Sequence, residues 1–537
     1  MSTRLSSAAS RHDVVIVGGG HNALVAAAYL ARAGKSVLVL ERLDHVGGAA
    51  VSERAWEGVD AALSRYSYLV SLLPRRIIDD LGLRIELRRR RYSSYTPDPA
   101  DPSRGILVDN ADADATAASF TRTTGDAREA QRFADFQRRI GGLGPVLFPL
   151  MTEPLARRSD VRARLGDDAL WDQVFEQPLG GMLRVGLATD IARGIALTDG
   201  LIGTFTSSDD ESLRQNRCFV YHVIGGGTGD WDVPVGGMGR VTGELERAAR
   251  EAGAELRTGS PVASITPDGE VRVSGAHPAT FHGRLVLSGV GPAILSALLA
   301  AGDDDARGAA ALDADEPEGA QVKVNMLLRR LPRLHDTTVA PEAAFGGTFH
   351  INETMSQLDA AFATASSGSI PDPLPAEIYY HSLTDPSILG PELRAEGAQT
   401  LTLFGLQVPH RLVKGADAVA MRVALLGAAQ RSLDSVLAEP IADCVYEAPD
   451  GAPCIEARTT ADLEDSLGMT GGDIFHGALS WPWAEDDEPL ETPGHRWGVA
   501  TAHPRILVCG SASRRGGAVS GLGGHSAAMA ALEVLGG

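Results

Sequence analysis

The stretch Val14–Arg42, VVIVGGGHNALVAAAYLARAGKSVLVLER, decides how the chain is read. From Asp13 to Val17 it is a short apolar, β-branched run, the pattern of a strand buried on both faces of a parallel sheet. Gly18-Gly19-Gly20-His21-Asn22-Ala23 follows and fits G-x-G-x-x-G/A. In that pattern Gly18 permits the tight turn and Gly20 lets backbone N–H groups approach a pyrophosphate. Ala23 lets the next helix lie close on the strand. Asn22–Ala33, rich in Ala and Leu, reads as that helix; Gly34 closes it and its positive end faces the phosphates. SVLVLE is the second strand and finishes on Glu41, where a carboxylate accepts both ribose hydroxyls. A 2′-phosphate beside Glu41 would be repelled by about 4 kcal/mol at 4 Å and an effective dielectric near 20, which disfavours NADP, although Arg42 softens the repulsion.

A second glycine pair stands just beyond the acid, in ERLDHVGGAA. Gly47-Gly48, followed by Ala49, lets the backbone run close to the far part of a long cofactor, which a nicotinamide domain does not need. The arrangement resembles the FAD-binding fold shared by amine oxidases and phytoene desaturases, and FAD is the cofactor it implies. The rest of the chain, roughly from residue 12 on, resembles the phytoene desaturase-related (carotenoid/retinoid) flavoproteins. Within them it is nearest the group named for pyridine nucleotide-disulphide oxidoreductase domain-containing protein 2. GGMG at 236–239, TGGDIFHGALS at 470–480 and GGAVSGLGGHSAA at 516–528 carry that likeness.

The fold the resemblance implies is α/β. A Rossmann-like FAD-binding domain would be assembled from residues 12–110, 225–300 and 496–537. A mixed α+β substrate domain would come from 111–224 and 301–495, after an unstructured terminus at 1–11. The cofactor contacts it implies are Gly18, Gly20, His21, Asn22, Ala23, Glu41, Arg42, Gly47, Gly48, Ala49, Val262, Gly510, Ser511, Val519, Ser520 and His525. The strand after AGAELRTG places Val262 at the adenine. A final helix over Ser526–Leu535 aims its positive end at the flavin pyrimidine edge. Where many relatives have Gly-Asp at the end of the last strand, this chain has Gly510-Ser511, so a charged contact becomes at most a hydroxyl one. Ala23, SGVGP at 288–292 and SWPWAEDD at 480–487 also depart from the family pattern.

Composition narrows the function classes. The net charge of -20 argues against nucleic acid and anionic membrane surfaces as partners. Cys218, Cys444, Cys454 and Cys509 form no C-x-x-C pair and no zinc spacing, so neither disulfide exchange nor a metal centre is expected. No apolar run is long enough to span a bilayer, and a cytoplasmic protein is expected, or a mitochondrial matrix protein if the source is eukaryotic. The acidic stretch 301–320 reads as a linker. RYSYLVSLLPRRIIDDLGL reads as a helix broken before Pro74.

Two residues are catalytic candidates. Lys323, in the alternating QVKVNM, is one of only three lysines; it is either an inward lysine reaching toward flavin N5, as in amine oxidases, or a surface residue at a strand end. His476 in DIFHG is a general base, a substrate contact or a loop-binding histidine. His525 either nears the isoalloxazine or caps a helix. Arg514 and Arg515 reach the pyrophosphate or, by default, solvent, and Trp481 and Trp483 suggest an aromatic cap surface. The expected activity is hydride removal from an apolar or mixed-polarity organic substrate onto flavin N5, by desaturation or amine-type oxidation. Oxygen or a quinone would then reoxidise the flavin. A flavin-bound protein acting mainly through protein partners is the alternative.

Overall fold

Val14 and Ile16 point to one side of the first strand and Val15 and Val17 to the other, and each side finds its own core. In the computed structural model, which describes residues 10–302 and 316–536, this strand is central to a seven-stranded sheet. Its members are β1 (Ser10–Val17), β2 (Val37–Leu40), β5 (Glu255–Arg257), β6 (Val262–Ile265), β7 (Glu270–Val273), β8 (Ala279–Ser288) and β14 (Ile506–Val508). The path β6-β7-β8-β1-β2-β5 is parallel from β8 to β5 and antiparallel over β6-β7-β8. The ten-residue β8 is long enough to pair β7 with its first half and β14, in parallel, with its last three residues.

Helices cover both faces, as a parallel sheet requires. On one side the helices His21–Arg32, Met238–Glu251 and Leu522–Gly536 pack through Ala26, Ala27, Val241, Leu245, Ala527 and Ala531 against Val14, Ile16 and Leu285. On the other, Leu295 and Leu299 of helix Pro292–Gly302 pack with Val15, Val17 and Val286. The α/β class with a Rossmann-like nucleotide-binding unit is therefore the observed one.

A second seven-stranded sheet holds β3 (Tyr92–Asp98), β4 (Asp101–Asp109), β9 (Gln321–Leu328), β10 (Thr348–Ile351), β11 (Ala376–Tyr379), β12 (Gln399–Leu406) and β13 (Ile455–Arg458), in the order β13-β9-β12-β11-β10-β3-β4. All its pairings are antiparallel except β10 with β3. Alternation along β9 sends Val322, Val324 and Met326 into the core beneath helix Ala418–Asp434, and Gln321 and Lys323 to the opposite face. Above that face, helices between Ala113 and Val223 form a third core around Phe120, Phe133, Phe136, Ile140 and Leu183.

Several expected boundaries shift. β3 and β4 join the second sheet, whereas the expected nucleotide-binding segment ran to residue 110; local sequence gives strand type but not the sheet a strand joins. Only Arg75–Leu81, after Pro74, is helical in the stretch expected to be a broken helix, and Tyr66–Leu69 instead line a cavity. The first strand already begins at Ser10, inside the expected terminus. Residues 1–9 and 303–315, which hold most of that terminus and much of the acidic stretch, lie outside the described residues.

One close approach fixes the helix pair behind the nucleotide turn. A Cβ on Gly524 would stand 1.9 Å from the carbonyl oxygen of Asn22. Gly524→Ala is expected to force the helices apart and cost about 1–3 kcal/mol of overpacking, read as a lower midpoint in urea denaturation. An unchanged midpoint would mean that this contact does not set the helix spacing.

Candidate functional site

A cavity of about 710 Å³ opens between the two sheets and the helical cap. At one end lie the turn after β1 and the end of β2. Glu41 is buried, and its carboxylate accepts the N–H of Gly19 at 2.6 Å and of Leu43 at 2.8 Å. Two of its four acceptor positions remain for hydroxyl donors. Gly47 donates to the carbonyl of Gly19 at 2.8 Å, so the second glycine pair is stitched onto the first turn. Gly47 has φ +124 and a Cβ there would meet Val51 at 2.8 Å, so both backbone and space require glycine.

Of the expected contacts, Gly18, Gly20, His21, Asn22, Ala23, Glu41, Arg42, Gly48, Ala49, Val262, Gly510, Ser511 and Val519 line the cavity. Gly47, Ser520 and His525 do not. Gly47 acts from behind the turn. Ser520 is buried, and its hydroxyl accepts the N–H of Leu522 at 3.2 Å. The last helix begins at Leu522 and not at Ser526, so His525 lies within it, packed edge-on against Tyr29 with centroids 5.2 Å apart. The neighbourhood of the isoalloxazine expected for His525 is corrected accordingly. Arg42 turns away, donating to the carbonyl of Ser466 at 2.6 Å.

The residues present fit a long dinucleotide cofactor. Nothing lies within 4 Å of where a Gly20 Cβ would point, and buried His21 Nε2 and Asn22 Nδ2 have no hydrogen-bond partner. The N-terminus of helix His21–Arg32 opens on the same space, a ready seat for an anion.

Both catalytic candidates line the cavity, on different walls. Lys323 is inward and not at the surface. Its Nζ donates to the carbonyls of Ser64 at 2.9 Å and Tyr66 at 2.7 Å, and lies 4.7 Å from the centroid of the Tyr68 ring. Burial pulls its pKa well below the ordinary lysine value. His476 sits on a loop in the left-handed region at φ +62, and its Nδ1 is buried without a partner. A Cβ on Gly291 would come within 3.1 Å of that nitrogen. Burial pushes both His476 and His21 down to about 4, and the charged form of each would repel the other, so His476 belongs to the nucleotide side.

Sequence reasoning missed the rest of the Lys323 wall. Tyr68, Arg90, Asp199, His350, Glu377 and Tyr379 line the same cavity. Tyr68 and Tyr379 have centroids 4.8 Å apart, and the Tyr379 hydroxyl donates to Glu377. Arg90 donates to the Thr348 hydroxyl at 3.0 Å and lies over the Tyr379 ring. The available signal was a single ionisable residue inside each of two short apolar runs, TFHI and AEIY. Trp481 and Trp483 stack on each other at 5.4 Å and pack on Phe175 within the cap core, giving no aromatic cavity surface. Arg515 is buried, donating to the carbonyls of Leu150 and Glu153, and Arg514, partly exposed, pairs with Glu488 at 2.8 Å, so Arg515 is not at the surface and neither lines the cavity at the nucleotide turn. The four cysteines are free and buried. Among the described residues, no helix is long and apolar enough to cross a membrane.

Residues 16–75 match a family model described as NAD(P)-binding Rossmann-like domain. Over 97% of this chain and 97% of its own length, the uncharacterized protein Rv0897c of Mycobacterium tuberculosis is 53% identical. The pyridine nucleotide-disulfide oxidoreductase domain-containing protein 2 of Rattus norvegicus is 29% identical, covering 96% of this chain and 92% of its own. Among solved structures, a putrescine oxidase superimposes with TM-score 0.59 at 16% identity, over 99% of this chain and 100% of its own. This likeness places the fold with that of an amine oxidase.

The depressed histidines set a pH dependence. A histidine kept neutral in the folded chain, with a pKa near 4 against an ordinary 6.5, binds fewer protons than in the unfolded chain. Its share of stability is full above pH 6.5 and is lost as pH falls toward 4. Between pH 7 and pH 5 each such group costs about 2 kcal/mol. His476→Asn, which tolerates the positive φ, is expected to flatten that loss by about one group's share in urea denaturation at the two pH values. An equal loss in both proteins would contradict the burial argument.

Proposed function

The chain belongs to the family of the mycobacterial protein Rv0897c, and from that premise we propose that it is an FAD-dependent oxidoreductase that takes hydride from an organic substrate of mixed polarity. The observation that carries this reading is the single cavity that joins the Gly18–Ala23 turn and Glu41 to Lys323. In this reading Glu41 accepts the ribose hydroxyls, the N-terminus of helix His21–Arg32 faces the pyrophosphate, and Val262 lies at the adenine. Gly48, Ser511 and the loop ending at Val519 flank the remainder. Bound there, FAD supplies the hydride acceptor.

Lys323 is the proposed proton acceptor. Burial disfavours its charged form, and its Nζ donates to the carbonyls of Ser64 and Tyr66. Once deprotonated, the amine keeps two N–H groups for these carbonyls and a lone pair for a proton from the substrate. Tyr68 beside it shields the amine from water. Phe133, Ile140, Ile195 and Ile202 of the cap line the opposite wall and hold the apolar part of the substrate. His476, neutral and beside the nucleotide turn, is read as a cofactor contact.

Two finer assignments accompany this reading. Desaturation is the reading that the resemblance to phytoene desaturase-related flavoproteins implies. Amine-type oxidation is the second reading and is favoured by Lys323. A role through protein partners alone draws no support from a cavity that reaches Lys323. The electron acceptor is proposed to be oxygen or a quinone.

The purified protein is expected to be yellow. Glu41→Ala should lose most of its flavin by absorbance. Lys323→Met should keep the flavin but be reduced about a hundredfold more slowly by substrate under anaerobic conditions. Colourless protein that refuses added FAD and takes a nicotinamide coenzyme would overturn the proposal.

A further inference from the structure

Five adjacent strands of the second sheet each place one residue in a single row across the cavity face. Arg458 on β13 opposes Lys323 on β9, and Lys323 opposes Phe404 on β12. Phe404 opposes Glu377 on β11, and Glu377 opposes His350 on β10. Directly opposed residues share a face, and all five line the cavity. At the β11–β10 end the row turns acidic. Glu377 and His350 are joined by Asp199 from the cap, and Glu353 stands behind them. Ligand atoms of His350, Glu353 and Glu377 all lie within 4.8 Å of one another.

Acids outnumber imidazoles at this end: three carboxyl groups meet His350 and, beside Asp199, His222. His350 Nδ1 and Glu353 Oε2 are 2.6 Å apart, and the Thr198 hydroxyl donates to the same oxygen at 2.7 Å. Glu353 Oε1 is fully buried with no partner. Of the nearby basic groups, Arg90 is held by the Thr348 hydroxyl and the Trp231 carbonyl, and Lys323 by the two carbonyls of Ser64 and Tyr66. The arrangement is rigid. A Cβ on Gly194 would stand 1.7 Å from the carbonyl oxygen of Glu353, so helix Asp190–Leu197 presses directly on the backbone that carries this acid.

We propose that this end of the cavity is an anchor site for a protonated amino group on the substrate, received by Glu377 and Asp199 and balanced by Glu353 behind His350. The proposal rests on the oxidoreductase reading only for what happens to the rest of the ligand; the binding stands on the acid cluster itself. Glu377 lies two strands from Lys323, about 10 Å at the usual strand spacing. The ammonium is therefore an anchor held away from Lys323, and the bond that is oxidised lies elsewhere on the molecule. Tyr68 and Tyr379 offer ring faces to the methylenes beside the nitrogen. A metal ion is disfavoured because His350 and Glu353 already bond each other and Glu377 already accepts from Tyr379, so coordination would break made bonds. An N–H donor needs only the lone pairs that remain.

Burial, with Glu353 adding repulsion, pushes Glu377 up to about 8; burial pulls His350 down, but the charge and hydrogen bond of Glu353 with the charges of Glu377 and Asp199 together outweigh it and raise His350. Binding an ammonium therefore drives a proton off Glu377, and affinity is expected to rise from pH 7 to pH 9 while the amine, with a pKa near 10, stays charged. Lys323, Arg90, Asp199, His222, Tyr68 and Tyr379 face the same space and enter the same titration.

The experiment uses the purified full chain and a series of eight-carbon probes ending in an amine, an alcohol or a carboxylate. Binding is measured by calorimetry and by thermal stabilisation, independently of flavin reduction. The amine should bind at least tenfold more tightly than either of the others, and more tightly at pH 9 than at pH 7. Glu377→Gln should remove most of that preference and its pH dependence, with flavin content unchanged. Equal affinity for the alcohol or carboxylate would overturn the proposal, as would amine binding in the unmutated protein that does not rise with pH. Tight binding of zinc or manganese alone, lost in Glu353→Gln and blocking the amine, would also overturn it in favour of a metal site. Colourless protein that still prefers the amine would defeat the oxidoreductase reading and leave the anchor site standing.

Discussion

The two hydrogen bonds that Glu41 accepts from the N–H groups of Gly19 and Leu43 tie the end of β2 to the turn after β1. A buried carboxylate without such donors would be costly, so the turn and the acid stabilise each other. The bond from Gly47 to the Gly19 carbonyl extends the same stitch to the second glycine pair. This cluster fixes the turn side of the nucleotide end. The N-terminus of helix His21–Arg32 points where the turn aims it, and Val262 is brought in by β6 at the far edge of the same sheet.

The opposite side of the cavity is governed by strand register. In an antiparallel ladder the partner of each residue is fixed by its neighbours, and a slip of one residue would send Lys323, Glu377 and His350 into the apolar core under helix Ala418–Asp434. The apolar residues between them, Val322, Val324, Ile378, Phe349 and Ile351, hold that register by filling the core beneath. The polar wall is thus a by-product of a well-packed apolar one. The cap helices close the third side with Phe133, Ile140 and Ile195, giving the cavity one greasy wall and one charged wall.

What the sequence makes legible follows from the range of the forces involved. The turn Gly18–Ala23, the acid Glu41 and the pair Gly47-Gly48 are local backbone demands, and each is visible as residue type at fixed spacing. Lys323 is visible because an ionisable residue interrupts an apolar alternation in a chain nearly free of lysine. Glu377 and His350 interrupt similar runs, but only the pairing of strands distant in sequence brings them to the same row. Trp481 and Trp483 mislead for the opposite reason: an aromatic pair in a loop gives no sign of whether it faces a cavity or a core. His525 misleads because the helix starts four residues before the first clear helical signal and takes the histidine inside.

The first sheet is closed by pieces far apart in sequence. β14 pairs in parallel with the end of β8, and helix Leu522–Gly536, which packs against helix His21–Arg32, follows it. Before β14 docks, the end of β8 is an open edge prone to wrong pairing. The strand–turn–helix unit at residues 10–40 therefore completes its surroundings only through partners beyond residue 500, and contacts of such long range slow folding.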